Sequence, residues 1–198
     1  MSTQLLKTPG NYRLVLASQS PRRKELLSKL GYEFSQRQKN VEETFPIDLS
    51  VEKVAEFLSK KKAAAYEGEM AQDELIITAD TVVILGEKIL GKAENFAEAK
   101  TMLAQLSGKK HQVITGVCLQ KKGIVHSFSV ATDVYMKQLS SAEIAFYIEN
   151  FKPFDKAGAY GIQEWIGLIG VEKIEGSYYN VMGLPVKELN EAITNFID

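Results

Sequence analysis

An arrangement suited to anion binding stands near the amino terminus, in the segment Ser18-Gln19-Ser20-Pro21-Arg22-Arg23. The segment follows an apolar run that predicts a buried strand, and Ser20 and Pro21 are typical of a helix cap and a first helical residue. Hydroxyls, guanidiniums and free N–H groups would then meet at one helix end. Cations there oppose the helix dipole, which favours a bound anion. The alternative is a capped surface helix with solvated arginines.

One carboxylate lies inside the most apolar part of the chain. Asp80 separates Ile76-Ile77-Thr78-Ala79 from Val82-Val83-Ile84, so its burial costs free energy unless a metal ion, a cation or hydrogen bonds compensate. Together with Glu42-Glu43 it could supply oxygens to Mg²⁺ or Mn²⁺ beside a phosphate chain. The alternatives are an aspartate that caps a turn at a strand end and a solvated glutamate pair.

Lysines offer further positive charge at two places. Residues 86–92 match a Walker A loop, but Ala93 replaces the final hydroxyl residue and the segment looks like a hairpin. We therefore interpret this match as accidental, which leaves Lys92 as a point charge for phosphate or an exposed hairpin residue. The run Lys60-Lys61-Lys62 is typical of a solvated helix face.

A loop dense in small residues spans residues 155–163. Its backbone could approach a ligand closely while Lys156 and Gln163 project polar groups, and the Gln163 amide could pair with a base edge. A tight packing turn at Gly158 and Gly161 is the alternative. Residues 176–180 could likewise be only a turn.

Alternating strands and helices must position these groups. Apolar patterns predict strands at residues 12–17, 75–79, 82–85, 89–90, 112–119 and 124–135. Cap and stop signals predict helices at residues 21–30, 50–66, 95–106, 140–150 and 185–196. Asp80 is then expected to interrupt a strand. The mixture predicts an α/β or α+β class, and the lack of repeats and linkers predicts one folding unit.

Composition narrows the class of partner and site. The 198 residues are 45% hydrophobic and 25% charged, which is typical of a soluble globular chain. A net charge of -1 argues against a large footprint for duplex nucleic acid or an anionic membrane. A single Cys118 and two histidines exclude an internal disulfide and a Cys/His zinc cage. Any metal is therefore expected to bind oxygen ligands.

Targeting signals are not evident in the sequence. We find no apolar run long enough to span a bilayer. Residues 1–10 also lack the apolar stretch and cleavage site of a signal peptide. We therefore expect a cytoplasmic protein.

Together the separated segments resemble the Maf family of house-cleaning nucleoside triphosphate pyrophosphatases. The matching blocks are the Ser-x-Ser-Pro-Arg-Arg opening, Ala79-Asp80-Thr81, Gly91-Lys92, Thr115-Gly116-Val117, residues 155–163 and Gly183-Leu184-Pro185. The resemblance implies a Maf/ITPase-like α/β fold, with an elongated mixed β-sheet, flanking helices and two lobes around a nucleotide-binding cleft, often as a homodimer. We predict one such domain over residues 1–198.

The resemblance also implies residue roles. Asp80 matches the proton acceptor that activates water, and the matched substrate-pocket positions are Ser18, Arg22, Arg23, Glu43, Lys62 and Lys92. We add Lys156 to the substrate-binding candidates. Arg22, Thr81 and Gln163 look like the branch that prefers dTTP and UTP to 7-methyl-GTP. Ala93 departs from the proline common in the family but removes no reactive group.

These roles predict hydrolysis of a nucleoside triphosphate to the monophosphate and pyrophosphate, with Mg²⁺ or Mn²⁺ near Glu43 and Asp80. Whether Asp80 acts as base, metal ligand or both stays open. One alternative is a nucleotide-sensing regulator of division or septum formation that binds without turnover. A P-loop phosphotransferase is a third hypothesis, and it fails at Ala93.

Overall fold

A computed structural model describes residues 10–197 of the chain, with side chains through residue 196. The prediction about a signal peptide falls on residues that lie outside this range, apart from Gly10. Across the described residues, none of the helices combines the length and the apolar character that a membrane span requires.

Strands and helices alternate along the chain. The strands are β1 (Arg13–Leu16), β2 (Phe34–Gln36), β3 (Glu74–Leu85), β4 (Lys88–Leu90), β5 (Lys110–Lys121), β6 (Ile124–Met136) and β7 (Val171–Glu175). The helices are α1 (Pro21–Lys29), α2 (Val51–Ala64), α3 (Phe96–Leu106), α4 (Ser141–Phe151), α5 (Trp165–Gly170), α6 (Tyr178–Met182) and α7 (Val186–Ile197). A short 3₁₀ turn covers Pro153–Asp155.

The strands form one seven-stranded sheet in the order β2-β1-β3-β5-β6-β7, with β4 paired to β3. β1 is parallel to both β2 and β3, whereas the β3–β4 and β6–β7 pairs are antiparallel. Leu16 of β1 stands opposite Ile77 of β3, and this parallel register places the loop after β1 beside the part of β3 that contains Asp80. The mixed sheet and its helices confirm the predicted α/β class.

The chain divides into two compact units. The first unit contains the described residues up to Asp80, residues 115–129 and the described residues from Gly183 onward. The second unit contains residues 81–114 and 130–182. β3, β5 and β6 each run without a break from one unit into the other.

Each unit has apolar packing of its own. In the first unit Val15 and Ile76 pack with Tyr66 and Met70. The second unit has a larger cluster in which Leu103 and Tyr147 are fully buried. Burial of an apolar side chain contributes about 1.5–3 kcal/mol relative to exposure. These clusters therefore stabilise the strands that carry the candidate site.

The predicted helix starts are confirmed where side-chain caps specify them. The Ser20 hydroxyl accepts from the Arg23 N–H, and the Asn95 side chain accepts from the Glu98 N–H. Ser140 forms a complete capping box with the residue three positions later. These contacts join residues close in sequence, which is why the pattern alone predicts them.

Three local predictions differ from the structure. β3 continues through Asp80 as one strand instead of two, because the buried carboxylate is paired through its side chain and leaves the backbone extended. Residues 176–180, for which a turn alone was one interpretation, include the first three residues of α6. Pro185 immediately precedes α7 and is not its first helical residue, although its carbonyl accepts from the Leu189 N–H at 2.9 Å.

Candidate active site

The β1–α1 junction presents a helix amino terminus with positive charge. Ser18 Oγ accepts from the Ser20 N–H at 3.2 Å, and the capped helix has no acidic residue in its first turn. Arg22 and Arg23 occupy that turn instead. Since cations here oppose the helix dipole, the arrangement is suited to a bound anion, as predicted.

Arg23 is held in a defined orientation within the first unit. Its Nε donates to the Gly183 carbonyl at 2.8 Å, and its Nη1 donates to Ser18 Oγ at 3.4 Å. Burial lowers the pKa of the Arg23 guanidinium, while the negative charge of Asp80 opposes that effect. Arginine stays charged even so, and a fixed guanidinium is a favourable partner for phosphate oxygens.

A lysine links the two predicted carboxylates. Lys62 Nζ donates to Asp80 Oδ1 at 2.5 Å and to Glu43 Oε1 at 2.8 Å. Lys62 is therefore not part of a solvated run, and only 19% of its side chain is exposed. The neighbouring Lys61 bonds to the carbonyl and hydroxyl of Thr44, while Lys60 is exposed.

Asp80 is buried, with 6% of the residue exposed. Burial raises the pKa of Asp80 above its ordinary value, and the positive charges of Lys62 and Arg23 oppose the rise. A carboxylate with a raised pKa is a stronger base than an exposed one, provided that nearby cations keep it ionised. The first unit therefore combines a basic oxygen with fixed positive charge.

Two carboxylates of the first unit are candidate oxygen ligands for a cation. Within residues 10–197 no three His, Cys, Asp or Glu side chains converge on a metal site. Asp80 and Glu43 nevertheless each direct an oxygen at one point, which Lys62 Nζ occupies. Two carboxylates completed by substrate phosphate oxygens are a common donor set for Mg²⁺.

In the second unit, backbone pairing joins the Gly91-Lys92 segment to the loop of residues 155–163. Lys92 and Ala157 form an antiparallel bridge. The Gly158 N–H donates to the carbonyls of Leu90 at 3.1 Å and Gly91 at 2.9 Å. Two segments singled out from sequence are thus neighbours. Residues 86–92 form a turn and β4, so they are not a P-loop.

Lys156 is a buried cation held by two carboxylates. Its Nζ lies 2.7 Å from Asp155 Oδ1 and 3.0 Å from Glu164 Oε1. These contacts tie both ends of the loop to one ammonium group. A structural role within the second unit follows from them, whereas a contact with substrate stays a prediction.

Buried aromatic residues hold the remainder of this loop. His111 Nε2 and Tyr160 Oη are 2.7 Å apart, with their rings edge to face. Burial lowers the pKa of His111 to about 4, so the imidazole is neutral at pH 7. The Tyr147 hydroxyl donates to Glu164 and accepts from the Gly161 N–H at 3.0 Å.

The predicted residues divide between the two units, one set in each. In the first unit Arg23, Glu43, Lys62 and Asp80 interact, with Ser18 and Arg22 at the adjoining helix start. In the second unit lie Thr81, Lys92, Lys156 and Gln163. Glu42 is exposed.

Sequence reasoning missed three contributors to these sets. No role had been inferred for the Gly183 carbonyl that holds Arg23, and Tyr147 and Glu164 were not singled out at all. The Ser-Ala-Glu helix signal located the helix of Tyr147, but nothing in it marked that tyrosine as different from a core residue. Its hydrogen bonds to Glu164 and Gly161 distinguish Tyr147 from other core aromatic residues.

The chain is similar in sequence to a known protein family and to several named proteins. A family model described as Maf-like protein matches residues 13–196. The dTTP/UTP pyrophosphatase of Phocaeicola vulgatus is 53% identical over 186 residues, which cover 93% of this chain and 96% of that protein. The protein of the same name from Bacteroides thetaiotaomicron is 51% identical with the same coverage. The Ham1 protein of Staphylococcus aureus aligns structurally over 93% of this chain and 99% of its own, at 15% identity and a TM-score of 0.49.

Proposed function

The chain belongs to the Maf family, and we propose that it is a dTTP/UTP pyrophosphatase that releases pyrophosphate and the nucleoside monophosphate. The observation that carries this proposal is the buried Asp80, which Lys62 links to Glu43 in the same unit as Arg23. The names of relatives about half identical to this chain support the choice of substrate.

The reaction needs a base, a positioned water and compensation of negative charge on the leaving group. We assign the base to Asp80. Water attacks the α phosphorus, the bond to the β-phosphate oxygen breaks, and a proton from the water passes to an Asp80 carboxylate oxygen. The raised pKa of Asp80 favours that transfer.

We assign triphosphate binding to the cations. Arg22 and Arg23 lie in the first turn of α1, where N–H groups and guanidiniums both favour phosphate oxygens. Lys92 would add a point charge. The bonds from Arg23 to Gly183 and Ser18 fix its direction before substrate arrives, which lowers the entropic cost of binding.

A divalent cation fits the same residues. Asp80 and Glu43 would hold Mg²⁺ or Mn²⁺ once the Lys62 ammonium leaves the point that their oxygens share, with substrate phosphates completing the ligand set. When bound, such an ion polarises the phosphates and offsets charge on pyrophosphate.

We assign selection of the nucleobase to Arg22 and to Thr81 and Gln163 of the second unit. The Gln163 amide oxygen is buried and has no hydrogen-bond partner among the residues that the structure describes. The N–H of a uracil or thymine ring is a donor of the required kind. Thr81 is the next residue in the chain after Asp80, the proposed catalytic base.

Several finer predictions are retained as proposals. We propose that the two units act as one domain, which is supported by the three strands that run through both and by a family match over residues 13–196. The cytoplasmic location, the homodimer and the absence of duplex nucleic acid as a partner remain predictions from sequence.

A product assay tests the function. Purified chain is incubated with Mg²⁺ and, separately, dTTP, UTP, CTP, ATP, GTP and 7-methyl-GTP, and phosphate and pyrophosphate are measured independently. We expect pyrophosphate, fastest from dTTP and UTP. Release of phosphate would contradict the proposed bond cleavage. Binding of dTTP without any product would instead favour the nucleotide-sensing regulator.

A further inference from the structure

The orientation of the Gln163 side-chain amide decides which groups of a nucleobase it can pair with. Its Oε1 is buried without a hydrogen-bond partner among the described residues, and such an acceptor is unfavourable until a donor arrives. The N3–H of uracil or thymine would supply that donor, whereas cytosine has an acceptor at the same ring position. An amide free to turn over could pair with either base, so discrimination requires that it be held.

The residues that flank Gln163 are joined by one hydroxyl group. Tyr147 Oη accepts from the Gly161 N–H at 3.0 Å and donates to the Glu164 carboxylate. The Glu164 N–H in turn donates to the Gly161 carbonyl at 3.0 Å. Gly161 and Glu164 are therefore closed into a hydrogen-bonded ring with Tyr147 of α4, and the chain between them includes Gln163.

Packing connects the ring to the amide itself. A Cβ atom placed on Gly161 would lie 3.1 Å from Gln163 Nε2 and 2.8 Å from Glu164 Cδ. The Gln163 amide therefore packs closely against Gly161, whose N–H donates to the Tyr147 hydroxyl. Lys156 adds a second support, since its Nζ lies 3.0 Å from the other oxygen of Glu164.

The anchor is rigid because the Tyr147 side chain is fully buried. Its ring stacks on Phe151 with centroids 5.2 Å apart. Burial raises the pKa of the hydroxyl above its ordinary value, so the proton that it donates to Glu164 is retained at high pH.

We propose that Tyr147 and Glu164 are positioning residues that hold the Gln163 amide in one orientation and thereby make the enzyme select uracil and thymine over cytosine. This inference rests on the proposed function and adds to it two residues that act through Gln163. Neither residue takes part in the chemical step.

The test compares Tyr147→Phe with Tyr135→Phe. Both variants remove a hydroxyl that donates to a glutamate, but Tyr135 bonds at 2.6 Å to the exposed Glu175, outside the loop. The readout is the ratio of kcat/KM for UTP to that for CTP, measured as pyrophosphate release. We expect Tyr147→Phe to lower this ratio roughly tenfold, mainly through KM for UTP, and Tyr135→Phe to leave it unchanged.

A second pair covers the case in which Tyr147→Phe does not fold. Glu164→Gln keeps an oxygen that can accept from Tyr147, whereas Glu164→Leu removes it. We expect the UTP to CTP ratio to fall with leucine and to stay within about twofold of wild type with glutamine. An unchanged ratio in Glu164→Leu, or an equal fall in both variants, overturns the proposal.

The two proposals fail in different ways. If the wild-type chain releases no pyrophosphate from UTP or dTTP, the proposed function is wrong and the inference is wrong with it. If the wild type prefers UTP to CTP and folded Tyr147→Phe keeps that preference, only the positioning role is wrong.

Discussion

Two lysines in this chain are each held by a pair of carboxylates, yet the pairs have different consequences. Lys62 joins Asp80 of β3 to Glu43, and Lys156 joins Asp155 to Glu164. In the first pair the chain separation from the lysine is 18 and 19 residues, whereas Asp155 is the immediate neighbour of Lys156. The first contact links distant segments, and the second closes a loop.

The carboxylates differ in a second respect. Glu164 also accepts from the Tyr147 hydroxyl, so its charge is satisfied within the protein. Asp80 is more deeply buried and carries a raised pKa, which leaves it available as a base. A lysine between two acids is therefore not in itself a sign of chemistry. Whether the acid can act as a base depends on its burial and on the donors already bound to it.

Removing the charge of Asp80 should have the largest effect. We expect Asp80→Asn to lower kcat for dTTP by roughly 10²–10⁴-fold, because shape is retained while the basic oxygen is lost. Pyrophosphate release and dTTP binding by calorimetry are measured on folded protein. Asp73→Asn, which alters an exposed aspartate paired with Arg13, is the control. Near-normal kcat in Asp80→Asn would contradict the assignment.

Matched removal of the two lysines tests the comparison directly. Lys62 lowers the pKa of Asp80, so Lys62→Met should raise it further. The ionised base then persists only at higher pH, and the acidic limb of the kcat profile should move to higher pH. Lys156→Met should lose about 3 kcal/mol of unfolding free energy with no shift of that limb.

Denaturant unfolding and pH profiles of dTTP hydrolysis measure both lysine variants. Each variant is compared with Lys60→Met, which changes an exposed lysine of the same run. A similar shift of the acidic limb in Lys62→Met and Lys156→Met would remove the distinction between the pairs.

Single cations of the proposed triphosphate site should matter less. We expect Arg22→Ala and Lys92→Ala each to lower kcat/KM for dTTP about tenfold, because one of several charges on the polyphosphate is lost. Lys24→Ala, at an exposed position of α1, should leave kcat/KM within about twofold of wild type. If neither Arg22 nor Lys92 affects kcat/KM, the phosphates bind elsewhere.

At Gln163 we expect a change in substrate selectivity without a large loss of activity toward UTP. Gln163→Glu replaces the N–H₂ donor with an acceptor and should shift the ratio of UTP to 7-methyl-GTP hydrolysis by about tenfold. Steady-state assays with both nucleotides measure it. An unchanged ratio would show that this position does not read the base, without affecting the assignment of Asp80.

Local features were predictable because their causes are local. Ser20, Asn95 and Ser140 cap helices through bonds to residues three positions away. The apolar runs of β1 and β3 likewise predict buried strands. The break expected at Asp80 was wrong, since a buried acid can stay in a strand when a distant side chain pairs with it.

The amino-acid sequence by itself determined the α/β class, the helix starts, the Maf resemblance and the identity of most candidate residues. Tertiary structure alone decided which of them meet. Residue type and spacing alone do not separate Lys62 from Lys60 and Lys61, and only the family resemblance singled it out; folding places it against Asp80 and Glu43. Tyr147 looked like any core aromatic until its hydroxyl lay between Gly161 and Glu164. The physical reason is that helix caps and strand patterns depend on near neighbours, whereas hydrogen bonds between side chains distant in sequence depend on how the whole chain packs.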